Sequence, residues 1–582
     1  MKGLIAELKR RHVFRVGIVY AIVAWLLVQI VVSVETPLRL PDWADTLVIV
    51  LLAIGFAVAL VLAWAYDRTP DGIRRTGPLP QKSAVKAGSE GGAPSIAVLP
   101  FADMSPDHDQ EYFADGITEE LLNTLARIRD LRVSGRTSSF YFKGRNEDLR
   151  SIGAALGVHY ILEGSVRKAG DRVRITAQLI DARTDVHLWS ETYDRTLQDL
   201  FEIQEDIAKS VASALQITLG VGSLGGIPGM TRNAAAYDEY LLAGVANGVD
   251  MILPTSMPEL RRSVQHLERA VTLDPEFSLA WAGLDFLYSN SPTLDPSCQD
   301  EAEVRAKARK AGDRALAITP DSPFMLVNLA WWKADDLDWS AAEDLCRQAL
   351  EAAARYAMTE HLELRAGMLM HALGRLDDAI DHYERGRFSD PLNAQIAAYL
   401  SDSYLARGDI GQAVAEADRF RNFAGPRFVL AKASGLMAGM VSGDRAELDS
   451  RLAQLIESDP DPSIAIAMRE RLDDPQAALT ELRRMLEEPR YQSAFQRNII
   501  AIWAAHFGAP ELALELMHDF LVRPRNGRLA FLAWRGVLRD VRRLPAFKDL
   551  LRDLGLADYW RQTGNWGYFC RPLGNDDFEC YR

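Results

Sequence analysis

The chain has 582 residues, 48% of them apolar and 25% charged, with a formal net charge of −14. That balance is an ordinary globular one and predicts several folded units of about 150 residues each. The acidic surplus excludes a nucleic-acid binder, whose phosphate contacts need a basic surface; four cysteines are too few for a disulfide scaffold and fit a reducing compartment.

Residues 1–75 hold two apolar runs, Val16 to Val34 and Thr46 to Tyr66, each free of Asp, Glu, Lys and Arg. Each has about the 20 residues a helix needs to cross roughly 30 Å of hydrocarbon, and neither keeps the polar face of a soluble helix. Lys2, Lys9, Arg10, Arg11 and Arg15 precede the pair, and Arg68, Arg74, Arg75, Lys82 and Lys86 follow it. The connection carries Arg39 against Glu35, Asp42 and Asp45. The positive-inside bias therefore predicts a two-helix transmembrane hairpin with basic flanks, both termini and the soluble domains being cytoplasmic. A cleavable signal peptide is disfavoured, because signal cores run about 7–15 residues and a second full span follows.

Residues 76–94, rich in Pro, Gly, Ser and Lys, read as a flexible linker. A small α/β domain with a mixed sheet is expected over 95–219. Ser95 to Phe101 is a buried strand, and Asp115 is expected to cap a helix carrying Ile117, Leu121, Leu122 and Leu125. Asp148 to Leu156 is a second helix with Gly157 as its C-cap. Tyr160 to Lys168, Arg172 to Asp181 and Val186 to Tyr193 form a meander, with Val173, Ile175, Ala177 and Leu179 alternating toward one face. An amphipathic helix from Asp199 to Leu219 closes the order β-α-β-α-β-β-β-α.

The stretches Ile96-Ala-Val-Leu-Pro-Phe101, Phe113-Ala-Asp-Gly-Ile-Thr-Glu-Glu-Leu121, Tyr160-Ile-Leu-Glu-Gly-Ser165 and Leu188-Trp-Ser-Glu-Thr-Tyr-Asp-Arg195 resemble the TolB N-terminal-like domain of bacterial inner-membrane proteins. The resemblance implies a non-catalytic interaction module in the bacterial inner (plasma) membrane. In similar architectures it is joined to tetratricopeptide repeats, and sometimes to a nucleotide-cyclase or winged-helix domain. Residues 220–232 are a Gly-rich hinge. Gly220 to Gly225 spells GxGxxG, but a helix precedes it and no helix is expected after it, so phosphate binding is excluded.

Over 233–425 one pattern of small residues recurs: Ser263, Leu267, Ala270, Pro275; Ala308, Gly312, Ala315, Pro320; Ala342, Cys346, Ala349, Ala354; Ala379, Tyr383, Gly386, Pro391; Ala413, Ala417, Phe420. At a period near ~34 residues this resembles the tetratricopeptide repeat (TPR) and implies an α-α superhelix. The first helices of the pairs should line a concave groove. Asn290, Trp331, Met368, His371 and Asp402 are the candidate protein-binding residues there, with packing between repeats the alternative for Trp331. Residues 426–582 read as degenerate helical repeats and an aromatic-rich C-terminal cap. Cys570 and Cys580 are open to three readings: free thiols, a disulfide, or a metal pair lacking further ligands.

No GxxxxGK[ST], HExxH, GxSxG or kinase catalytic loop occurs. Asp103, Asp107, Asp109, Glu111 and Asp115 form an acidic cluster open to a divalent cation, with a solvated loop the favoured reading. The expected fold is thus an α-helical majority: membrane hairpin, small α/β domain, TPR-like solenoid. The expected function is a membrane-anchored protein–protein interaction scaffold of a bacterial envelope or signalling assembly. It would be no enzyme and would have no catalytic residues, cofactor, metal, nucleic-acid partner or small-molecule substrate. The alternative is a regulatory part of a cyclic-nucleotide, adenylate cyclase-like system.

Overall fold

The computed structural model describes residues 66–69 and 72–75, and then 94–580 except 129, 171, 197–198, 216, 218–228, 245–256, 295–300, 357–359, 422–428, 458, 460 and 575. The chain divides into two compact units, Met1–Gly92 and Ala93–Arg582. In the first, β1 (Tyr66–Thr69) pairs antiparallel with β2 (Gly72–Arg75).

Among the described residues no helix is long and apolar enough to cross a membrane. The two-span hairpin, and with it the inner-membrane localisation and topology, is corrected on that finding. The longest described helices, such as Glu301–Ile318 and Trp339–Tyr356, carry charged side chains along their length. Val16 to Val34 and the rest of the second run lie outside the described residues, and Tyr66, assigned to the end of the second span, opens a strand instead. The linker 76–93 and the GxGxxG stretch also lie outside them.

The second unit opens with a mixed sheet in the order β5-β3-β6-β7-β8. Its strands are β3 (Ser95–Val98), β4 (Ala102–Asp103), β5 (Arg132–Val133), β6 (Tyr160–Ala169), β7 (Arg172–Asp181) and β8 (Val186–Thr196). β3 runs parallel to β5 and β6, β4 also lies parallel to β6, and β6, β7 and β8 are antiparallel neighbours. Helices α1 (Glu111–Ala126) and α4 (Leu200–Ala214) cover one face, while the short α2 (Arg136–Phe140) and α3 (Leu149–Leu156) precede β6. β3 is buried throughout because both its faces are covered: Ile96 and Val98 pack toward α1, Ala97 and the following Leu99 toward α3. Asp148 accepts from the Arg150 and Ser151 amides and starts α3, and Gly157 ends it at φ 63°.

Asp107 and Asp109 of the acidic cluster are exposed in the loop before α1, but Asp115 is not the cap. α1 begins four residues before Asp115, since Glu111 to Ala114 already carry the helical period. Asp115 therefore sits inside the first turns, 2.5 Å from Lys143 Nζ, and caps nothing. Asp103 accepts from the Ser105 and Gln110 amides and shapes the turn. Among the described residues no three His, Cys, Asp or Glu side chains converge as metal ligands.

From Ala234 the chain is a stack of antiparallel helical pairs. They are α5 (Ala234–Leu242) with α6 (Met257–Leu273), α7 (Ser278–Leu294) with α8 (Glu301–Ile318), α9 (Pro323–Asp335) with α10 (Trp339–Tyr356), α11 (Glu360–Ala372) with α12 (Leu376–Ser389), α13 (Ala394–Arg407) with α14 (Ile410–Asp418), and α15 (Val429–Ser442) with α16 (Arg445–Ile456). The recurring small residues are the reason the pairs close: Ala308, Ala315, Ala342, Ala349, Ala379 and Ala413 are fully buried. A methyl group on Gly367 would overlap the Tyr383 ring of the paired helix. The stack continues through α17 (Ser463–Arg469), α18 (Pro475–Met485), α19 (Ala494–His506) and α20 (Pro510–Leu521).

The α/β domain is bonded to this stack at the turn between α12 and α13. The Gly135 amide donates to Ser389 O at 2.8 Å, the Ser138 amide to Asp390 Oδ1 at 2.8 Å, and the Leu392 amide to Ser138 Oγ at 2.7 Å. Tyr112 OH donates to Asp238 on α5, which also pairs with Lys168 at 2.9 Å.

The end of the chain turns back. After α20 come two 3₁₀ segments, Gly527–Trp534 and Gly536–Leu538, then α21 (Arg539–Arg542), α22 (Phe547–Asp553), α23 (Leu556–Thr563) and an antiparallel hairpin of β9 (Cys570–Leu573) and β10 (Asp577–Cys580). Of the three readings of Cys570 and Cys580, the disulfide is the one found. Such bonds are rare in reducing compartments, so the compartment inferred from the cysteine count does not carry over. Cys346 is a buried free thiol.

Candidate functional site

The helices α9, α11, α13 and α15 are the first members of four successive pairs, and one feature unites them: each touches the returning segment 527–538. That segment enters at the end of α9, where Gly527 lies so close to the Ala334 carbonyl that a Cβ would overlap it. Next to it Arg528 forks onto Asp335: its amide donates to Oδ1 at 3.1 Å, its Nε and a terminal nitrogen to Oδ2 at 2.8 and 2.5 Å. Phe531 stands against the His371 ring at 6.0 Å. At the far end Arg535 reaches Asp402 on α13 at 3.3 Å, and Gly536 lies against Leu405.

The carbonyls that end α11 have no partner within their own helix. They are met from the returning chain: Trp534 Nε1 donates to Ala372 O at 3.1 Å, Trp560 Nε1 to Leu373 O at 3.0 Å, and the Tyr568 amide to Gly374 O at 2.8 Å. Trp339 Nε1 of α10 answers in the other direction, donating to Leu554 O at 2.7 Å. The groove is therefore not open. It is filled by its own chain.

Three of the five candidate protein-binding residues are buried. Trp331 is 5% exposed, His371 0% and Asp402 2%. Met368 is half-buried against the main core, and Asn290 falls in α7 with its side chain outside the described residues. His371 and Asp402 lie on first helices of their pairs, and each meets the returning segment. Arg528, Phe531, Trp534 and Arg535 carry no tetratricopeptide signature. The signal that could have found them is the match of two arginines seven residues apart to acids on first helices of the stack.

Burial governs the electrostatics here. Asp285 on α7 is pushed up to about 7 by burial, against the Arg528 cation and hydrogen bonds from Trp332, Ser289 and Asn328. Burial also raises Asp402, opposed by Arg535. Burial, then the nearby Arg528 cation, lowers Arg365 to about 10. His371 is lowered to about 3, first by burial and then by Arg535. In the unfolded chain that imidazole binds its proton near pH 6.5, while in the fold it refuses one until about pH 3. Its contribution to stability is thus complete above pH 6.5 and is lost as the pH falls from there, at about 1.4 kcal/mol per pH unit. Asp285 pulls the other way in the same window, so the comparison lies between variants. His371→Gln should flatten the acid-side loss of stability measured by urea midpoints between pH 6.5 and about 4; equal slopes in the two proteins would refute the assignment.

Residues 92–210 match the second domain of the HilA/YgeH-like transcriptional regulators. The chain is also similar to a protein named putative adenylate cyclase 3 of Rhizobium meliloti (strain 1021), 42% identical over 200 residues. That stretch is 33% of this chain, and it spans 32% of the relative's own length. Among solved structures, the crystal structure of PilW, a widely conserved type IV pilus biogenesis factor, is 18% identical with a TM-score of 0.30, covering 42% of this chain and 98% of that one. Pseudomonas aeruginosa pilF is 16% identical with a TM-score of 0.27, covering 34% of this chain and 84% of that one. Superpositions this loose carry no argument, and the helical-repeat description rests on the packing above.

Proposed function

We propose that the chain is a protein–protein interaction scaffold, with other proteins or peptides as partners. The observation that carries this reading is the stack of helical pairs bonded to the α/β domain, a build that presents extended surface. We further propose that the α/β domain is a TolB N-terminal-like docking module of an envelope or signalling assembly; the motifs of the sequence support it.

Two exposed aromatic side chains serve as probe positions for partners. Phe388 is 68% exposed beside the joint of domain and repeats, and Phe495 is 54% exposed on α19. Photo-reactive groups placed at these two positions of the full chain should give protein adducts of defined mass, while one at Asp473, between α17 and α18, should not. No adduct from either apolar position would sink the proposal.

A second reading is membership of a cyclic-nucleotide system, favoured by the stretch shared with the Rhizobium protein. Conversion of ATP to a cyclic nucleotide by the purified full chain, lost on changing one acidic side chain, would establish it and displace the scaffold.

A further inference from the structure

Residues 527–538 lie against the first helices of four successive pairs, as a bound peptide would. They form two 3₁₀ segments laid along first helices of the stack and do not build a helical pair of their own. Two carboxylates of the groove wall, Asp335 at 3% and Asp402 at 2% exposure, each receive a guanidinium from the segment. While the segment covers them these carboxylates need cations, and Arg528 and Arg535 supply one apiece, with Arg305 also 3.9 Å from Asp335; the covered wall thus fits a ligand carrying two positive charges. Between the charges lies an apolar stretch, with Phe531 against His371 and Trp534 bonded to the end of α11. The segment is reached through the turn at Arg523 to Arg525, whose two arginines are exposed and where Arg525 has φ 50°.

We propose that the concave face is a peptide-binding groove whose resident ligand is this chain's own segment 527–538. The partner it fits is a peptide with two arginines about seven residues apart around an aromatic apolar stretch. Such a partner enters by displacing the resident. This rests on the interaction reading above and adds the groove, its occupant and the chemistry of its partner.

The test uses a fluorescein-labelled peptide of residues 524–540 and the full chain, read by anisotropy. In the unaltered protein the resident competes as part of the same chain, held between α20 and α21, so the peptide should bind weakly. Replacing Arg528→Ala and Arg535→Ala together leaves the two acidic seats on the wall, and binding should tighten about tenfold or more. Adding Asp335→Asn and Asp402→Asn should abolish the gain. If the arginine variant does not fold, amide exchange over 527–538 in the unaltered chain decides alone: excess unlabelled peptide should speed it. Exchange that stays unchanged at every peptide concentration, or a folded arginine variant that gains no binding, overturns the inference and makes the segment permanent core. Adducts at Phe388 or Phe495 would still stand in that case, so the two failures are distinguishable.

Discussion

Trp534→Ala should cost about 3–5 kcal/mol of stability, the range for truncating a buried tryptophan when the cavity cannot collapse. Trp534 is 0% exposed, stacks on Phe569 at 5.2 Å and 6°, stands edge-on to Phe547 at 6.1 Å, and donates to Ala372 O. Its removal withdraws an apolar face from its ring neighbours and leaves a helix-end carbonyl unanswered. The loss should appear as a lower urea midpoint for the repeat helices by circular dichroism, not as local fraying of the C-terminus, since the ring belongs to the same core as α9 to α16. A variant whose midpoint moves by under about 1 kcal/mol would mean that the returning segment is not part of that core.

Arg528→Ala is expected to cost a similar amount for a different reason. It strands Asp335, 3% exposed, with Arg305 at 3.9 Å as the remaining cation, and breaking one side of a buried pair costs about 3–5 kcal/mol. The informative variant combines Asp335→Leu with Arg528→Met. Removing both charges should be less damaging than removing either, giving a coupling energy of about 1–3 kcal/mol in a double-mutant cycle. Additive losses would show that the fork at Asp335 is a surface contact in energetic terms.

The local structure was largely legible in the sequence, and the reasons are specific. The alternation Val173, Ile175, Ala177, Leu179 marks one face of β7, and all four side chains are buried. Asp148 and Gly157 bracket α3 as cap residues do. The small-residue offsets pick out the contacts within helical pairs because a close helix crossing admits little else. What the sequence hid is long-range. The bond from Trp339 to Leu554 joins residues 215 apart, and no periodicity encodes it. The course of segment 527–538 along the first helices has no such local signature, and His371 and Asp402, the candidates for a partner, are met by it. The apolar runs before Tyr66 illustrate the opposite hazard: a pattern persuasive by itself, with no membrane-spanning helix among the described residues to match it.

The backward course of the chain end also bears on how the molecule is made. An open array of repeats can fold from its first pair outward as each leaves the ribosome. Here the wall that receives Phe531, Trp534 and Trp560 is synthesised well before those side chains exist. Nascent chains must hold an apolar trough with buried-to-be carboxylates open to water until residues 527–568 are translated, and only then can cooperative folding lock. Stalling shortly before residue 527 should leave an aggregation-prone intermediate, a consequence of this topology rather than of any one residue.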